Sequence, residues 1–399
     1  MQIFLSEVID LTMNTQAATS LCSKSFSILF LSNFILFFGT KMFSPFLPAY
    51  IPPNGGNNVQ IGIIMCIFTL SAILIRIFTA KATEHFNKNA LLLTVLLFCA
   101  VAAGGYYFTS AFTFIFLLRA FNGIGLGVAT TLFGTLVSNA LSVPQLRDFM
   151  EFCGLGANNT LAVRHFAETT LVAITNYQWV FALSIVLIIF AIFLTQSIAN
   201  RGSTEIARKT SLYIVLADFV ETKALFPSVL VLIFGISIAG MFIFMILFGA
   251  EARIENIGMF FLINALAEYI IRPIAAKLYD DWGHFPIIVP GAMICATGAV
   301  LLSMTVNLPM LIAVATCYGV GIGMLFPVLE AWALKSVPPD RRAAATTTFY
   351  NFLGIGVGFG AIILGLVAQA TSYSIMYLYS SLVFALFLAV YFYYCLRQA

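Results

Sequence analysis

The sequence predicts an all-α membrane protein of twelve transmembrane helices, arranged as two six-helix bundles related by a parallel repeat. Three observations carry this expectation. Hydrophobic residues make up 61% of the chain and charged residues 9%, where a soluble domain carries about 25% charged residues; the bilayer must be the solvent. Apolar stretches of roughly 20 residues recur from end to end, each long enough to cross a hydrocarbon core. A series of residues in the first half also reappears, in order, in the second half at a spacing of 196 positions.

The apolar stretches place spans at 26–50, 58–80, 89–109, 111–139, 148–172, 179–198, 226–249, 257–276, 286–306, 308–334, 344–369 and 374–396. Residues 1–25 form a cytoplasmic N-terminal segment and 26–198 the first bundle. Residues 199–225 form a cytoplasmic central loop and 226–399 the second bundle. The start of the chain lacks a basic segment followed by a small-residue cleavage site, so no cleaved signal peptide is read; Met13 is an alternative start. The 40 Phe residues suit lipid-facing helix surfaces. The seven Cys residues form no CxxC pair and have no His at ligand spacing, which makes them packing residues rather than a disulfide framework or metal site. No cofactor is expected.

Charge sets the orientation. With both termini inside, the short inner segments hold 13 of the 19 Lys and Arg residues, from Lys24 through Arg147 and Arg341 to Arg397. The outer loops hold only Arg253, and Lys41, Arg76, Arg119, Arg164 and Arg272 fall inside spans. Basic residues collect on the cytoplasmic side, so both termini are expected in the cytoplasm, in a cell inner (plasma) membrane.

The repeat is read without gaps. Ile61-Gly62 falls on Ile257-Gly258, Ile75-Arg76 on Ile271-Arg272, and Ala80-Lys81 on Ala276-Lys277. Glu84 falls on Asp280, and Gly123, Gly125 and Gly127 fall on Gly319, Gly321 and Gly323. At a spacing of 194, Ser142-Val143-Pro144 falls on Ser336-Val337-Pro338 and Arg147 on Arg341. The glycines lie inside apolar spans with no preceding strand, so they are helix contacts and not a nucleotide-binding loop. Two similar bundles about an axis along the membrane normal imply alternating access to a site between them.

At these residues the chain resembles the major facilitator superfamily over essentially its whole length. The loop after the second span carries a degenerate copy of that family's G-x-x-x-D-R-x-G-R-R pattern at Ala80, Glu84, Asn87 and Lys88. A closer copy runs from Arg272-Pro273 to Asp280 and Gly283, with Ala276 for the first glycine and Asp281 for the arginine. Arg119-Ala120-Phe121-Asn122-Gly123 is similar to the family's R-x-x-Q-G, and Val337-Pro338-Pro339-Asp340-Arg341-Arg342-Ala343 to its tenth-to-eleventh loop. From about Ala224 to Gln369 the chain most resembles the bacterial drug and sugar efflux branch. Where antiporters of the family often carry G-P-x-x-G-G, this chain reads Ala162-Val163-Arg164-His165-Phe166-Ala167-Glu168. The resemblance implies a secondary transporter, coupled to protons and exporting its cargo, with a role for Arg119 in proton coupling.

An ionisable group at bilayer depth is costly and faces a partner or a cavity. The candidates for substrate or proton coupling are Lys41, Arg119, Arg164, His165, Glu168, Glu268 and Glu330. Each has a plainer reading beside it. Lys41 pairs with Glu168 or snorkels outward; Arg119 is a packing arginine. Arg164 and Glu168 are four apart and pair on one helix face. His165 either titrates near neutral pH or packs as a neutral ring. Arg164 reaching Glu268 across the halves is a further option. Arg76, Glu84, Arg272 and Asp280 read as gating contacts, or as anchors at the inner headgroups. If the ionisable groups face the cavity, the first half presents a positive wall and the second a negative one, which suits an amino-acid-like or opine-like zwitterion. The partners expected are a small-molecule substrate, protons and membrane lipids, with no nucleic acid, and the chain is expected to be a monomer.

No Walker motif appears, so ATP hydrolysis by this chain is not expected to drive transport. A membrane enzyme acting on lipid would need a polar catalytic cluster at one interface, and no convincing acid–histidine pair appears. An uptake permease, or a non-transporting sensor on a transporter fold, are the remaining alternatives.

Overall fold

Where a helix ends in this protein is decided by backbone chemistry, and where a span ends by hydropathy. The two differ most in the helix that ends at Trp282. The computed structural model describes residues 31, 32, 34, 35, 38, 39, 47–51, 56–85, 88–108, 111–140, 177–199, 220–338 and 341–398. Among them the order is α1 (Leu47–Tyr50), α2 (Asn58–His85), α3 (Lys88–Phe108), α4 (Phe112–Ala140) and α5 (Tyr177–Ala199). A 3-10 turn (Thr222–Ala224) then leads into α6 (Leu225–Glu251). There follow α7 (Gly258–Trp282), α8 (Phe285–Ser303), α9 (Leu308–Lys335), α10 (Arg342–Ala370) and α11 (Tyr373–Gln398).

The described residues contain helices and no strand. Nine of the helices are long and apolar enough to cross a membrane, and α5 adds a shorter apolar stretch, Trp179–Leu194. In hydrocarbon every backbone polar group must be satisfied within its own segment, which the helix does. Apolar side chains left on the outside agree with a lipid-facing surface: Phe108, Trp282 and Leu396 are 86%, 76% and 78% exposed. The predicted span at 148–172 and most of that at 26–50 lie outside the described residues.

The predicted span ending at 276 places Arg272 near the inner end of its helix. The structure corrects this. α7 runs on through Lys277, Asp280 and Asp281 to Trp282 and stops at Gly283, whose φ of 78° only glycine adopts easily and whose N–H bonds Tyr279 O. Polar residues end the hydrophobic signal but not the helix. Arg272 is therefore ten residues, about 15 Å, short of the helix end. At the opposite end, Arg253 and Asn256 (φ 54° and 56°) turn the chain from α6 into α7.

Small residues hold each half together. α4 packs on α2 and α3, and α9 packs on α7 and α8. A Cβ on Gly123 would strike the Phe68 carbonyl, on Gly125 the Cys99 sulfur, and on Gly127 the Ala72 carbonyl. The same test at Gly319, Gly321 and Gly323 meets the Asn264 carbonyl, the Cys295 sulfur and the Glu268 carbonyl. Each of the second set lies 196 positions after the first. The repeat read from the sequence is thus a repeat of helix contacts, the kind that small residues permit between membrane helices.

The halves meet where α2 lies along α10. Gly62 abuts the Ala361 carbonyl, Gly358 abuts Cys66, Gly354 abuts Thr69, and Gly365 abuts the Asn58 carbonyl. Tyr373 Oη donates to Asn58 Oδ1 at 2.7 Å, and the Val59 N–H donates to Gln369 Oε1 at 3.3 Å. These contacts run from the Asn58 end of α2 to Ile73. The other face of α10 is also glycine: Gly356 and Gly360 sit on Leu232 and Ile236 of α6.

Candidate functional site

In the second half, a ladder of ionisable side chains runs down α7, α9 and α10. Glu268 and Arg272 are four residues apart on α7, so they share a face and form an ion pair, Arg272 Nη2 donating to Glu268 Oε1. Their side chains are 18% and 14% exposed. Pro273 follows at once and cannot donate the helix bond to the Tyr269 carbonyl, which loosens α7 beside the pair. Across from them, Tyr350 Oη of α10 donates to Glu330 Oε1 of α9 at 3.0 Å. The Arg272 guanidinium lies within electrostatic reach of both Glu330 and Tyr350. Phe326, one turn before Glu330, meets the Tyr350 ring edge-on at 6.2 Å, and Phe349 meets it at 5.6 Å. Tyr350 keeps 36% of its surface open.

Two buried atoms on these helices lack hydrogen-bond partners among the described residues: Arg272 Nε on α7, and Asn351 Oδ1 on α10, in the residue after Tyr350. Sequence reasoning missed Tyr350 and Asn351. A tyrosine in an apolar span looks like packing, and its acidic partner is twenty residues away on another helix.

Beyond the cluster toward the same end, Lys335 Nζ donates to Asp280 Oδ1 at 2.9 Å and lies 4.3 Å from the Tyr279 ring centroid. Both ionic side chains are more than half exposed, so the pair is worth little as stability. Arg272 therefore meets Glu268, and Asp280 meets Lys335.

A third ion pair fixes the chain as it enters α6. Arg341 Nε donates to Glu221 Oε2 at 2.9 Å, the Glu221 N–H donates to Thr348 Oγ1 at 2.8 Å, and Glu221 Oε1 caps the Lys223 N–H. The hydrogen bond from Arg341 holds the Glu221 carboxyl below the ordinary range. Close by, His284 stacks on Trp332 at 4.2 Å and its Nδ1 shares a hydrogen bond of 2.7 Å with Tyr391 Oη. Burial pulls this imidazole below its ordinary value.

The first half is built differently. Arg119 is 2% exposed, so it does not stand on a wall open to water. Its Nη2 lies 3.4 Å from Met65 Sδ, and its guanidinium sits 4.1 Å from the Phe68 ring centroid. Tyr106, which stacks on Phe181 at 5.7 Å, lies beside it. Arg76, the repeat mate of Arg272, has Ala72 where α7 has Glu268. Lys41, Arg164, His165, Glu168 and the side chain of Glu84 lie outside the described residues.

The family model described as Major Facilitator Superfamily matches residues 29–255 and 225–398. An uncharacterized MFS-type transporter of Methanocaldococcus jannaschii is 21% identical over 367 residues, covering 90% of this chain and 95% of its own. The crystal structure of nucleoside transporter NupG is similar at a TM-score of 0.72 and 13% identity, over 92% of this chain and 99% of that one. A POT family transporter in complex with 5-aminolevulinic acid is similar at a TM-score of 0.73 and 12% identity, over 92% and 95% of the two chains.

Proposed function

The chain belongs to the Major Facilitator Superfamily and is a multi-pass membrane transporter of it, and from that premise we propose a proton-coupled exporter of a small zwitterionic or anionic metabolite, working by alternating access. One observation carries the reading. α2 and α10 are closed against each other from Asn58 to Ile73, while the Glu268, Arg272, Glu330 and Tyr350 cluster lies past the closed stretch, where Tyr350 is open. A carrier sealed at one end, with ionisable groups reachable from the other, is one state of an alternating cycle. With the basic loops in the cytoplasm of a cell inner membrane, the open end faces inward. Glu268 and Glu330 supply carboxyls that can gain and lose protons as the halves rock. Asp280 and Lys335 sit at the inner mouth, where a gate would close. The export direction rests on the resemblance to the drug and sugar efflux branch. POT transporters and this chain share a fold; the zwitterionic cargo is argued from this chain's own charges.

The test is flux in proteoliposomes of the purified chain across a broad solute panel, with imposed pH or sodium gradients. Uphill movement driven by the pH gradient supports the reading. Flux that ignores pH and follows sodium removes the proton.

A further inference from the structure

The charge pattern of the sequence sets opposite poles of a zwitterionic cargo against opposite halves of the protein. The geometry points elsewhere, and the inference rests on the zwitterionic cargo just proposed. We propose that both poles of the cargo are held within the second half, its carboxylate at Arg272 and its ammonium at Glu330.

Charge comes first. Arg272, Glu268 and Glu330 carry one positive and two negative charges when ionised, and Tyr350 brings a neutral hydroxyl. Arg272 is engaged by Glu268, which leaves one carboxylate in excess at membrane depth. A buried charge of that kind needs a proton or a cation, and an ammonium supplies the second. Orphaned atoms come second. Arg272 Nε is a buried donor with no acceptor, and Asn351 Oδ1, in a residue 6% exposed, is a buried acceptor with no donor, among the described residues. Each such atom costs about 1–3 kcal/mol while unpaired. A ligand with an anionic end and an N–H-bearing cationic end offers each of these atoms the partner it lacks once the side chains turn to meet it. Shape comes third. The open face of Tyr350, backed by Phe326 and Phe349, stands beside Glu330 and offers an ammonium an aromatic surface. Arg119 of the first half is packed over Phe68 at 2% exposure, which removes it as the anion receptor of an open wall. Tyr350 is a positioning residue: its hydrogen bond aims the Glu330 carboxylate.

The experiment is thermal unfolding of the purified full chain in detergent with glycine, γ-aminobutyrate and glycylglycine, which space their two poles differently. Butyrate and butylammonium at equal ionic strength are the controls. At least one zwitterion should raise the melting temperature and neither control should. Glu330→Gln should abolish the rise, and Tyr350→Phe should weaken binding of that zwitterion about tenfold, the low end for a hydrogen bond to a charged group. Arg272→Lys keeps the charge but loses Nε, so it should also lose the rise; its ligand-free transition reports that it is folded. The proposal is overturned if no zwitterion stabilises the wild type, if a control does so equally, or if Glu330→Gln responds as the wild type does. Flux separates this from failure of the transport reading. A solute lacking one pole that is carried equally well by Glu330→Gln sinks the site and leaves the transporter, whereas absence of flux for every solute sinks the transporter.

Discussion

The two halves share their packing more fully than their polar side chains. Gly123, Gly125 and Gly127 touch Phe68, Cys99 and Ala72; Gly319, Gly321 and Gly323 touch Asn264, Cys295 and Glu268, each partner 196 positions later. At the same register, Ala72 answers Glu268, Ala315 answers Arg119, and Asn122 answers Tyr318. Close approach of helices is a demand of the fold, so both halves keep it. Ionisable groups at depth are a cost to the fold, and apart from the arginine shared as Arg76 and Arg272, those at these registers stand on one half only.

This contrast can be broken or sharpened by substitution. The largest effect should come from the shared contacts. Gly127→Leu and Gly323→Leu each force a side chain into a neighbouring backbone and should lose about 3 kcal/mol of stability, measured by unfolding in detergent. If only one of the two is destabilised, the halves are not equivalent where they look most alike. Next is the unshared pair. Arg272→Ala strands Glu268 in a partly open site and should cost about 2 kcal/mol, below the range for fully buried pairs. Arg76→Ala, with no acid at position 72, should cost less than about 1 kcal/mol. Equal losses would show that the ion pair is not what distinguishes them.

Glu221→Gln should cost about 1 kcal/mol at neutral pH. Because the folded carboxyl titrates below its unfolded value, this contribution is present above the ordinary carboxylate range and fades as pH falls through the depressed one. The difference between wild type and variant should therefore close between neutral pH and strongly acidic pH; a gap independent of pH would mean that Arg341 does not set the ionisation. The smallest effect is expected at the seam. Tyr373→Phe removes one hydrogen bond to Asn58 and should shift the opening equilibrium by under about 1 kcal/mol. It is read as a few-fold faster maleimide labelling of Cys66, which is buried against Gly358. An unchanged rate would place the seal in the glycines alone.

Much of the fold was legible because two periodic signals, hydropathy and the 196-residue spacing, are imposed by the membrane and by helix contact. The predicted spans at 89–109 and 308–334 agree with Lys88–Phe108 and Leu308–Lys335. The polar last turns of α2 and α7 were not, since hydropathy stops at the bilayer and the helix stops at a cap such as Gly283. The site was legible in part. Glu268, Arg272 and Glu330 stand out as charges in apolar spans. That Glu268 takes Arg272 as its partner follows the four-residue spacing, yet the reach of Arg164 from another helix could not be weighed from sequence. Tyr350 joins Glu330 only through the packing of α10 on α9, a long-range fact with no local signature.

The alternating glycines of α10 have a consequence in entropy. Side chains that interlock across a seam surrender rotamer freedom each time it closes, up to about 2 kcal/mol for the longest of them. Gly354, Gly358 and Gly365 toward α2, and Gly356 and Gly360 toward α6, have no rotamers to surrender. Contact made through them forms and parts without that toll in either direction. In the cycle proposed above this seam closes and is released at every turnover, and glycine on the α10 side keeps both strokes nearly level.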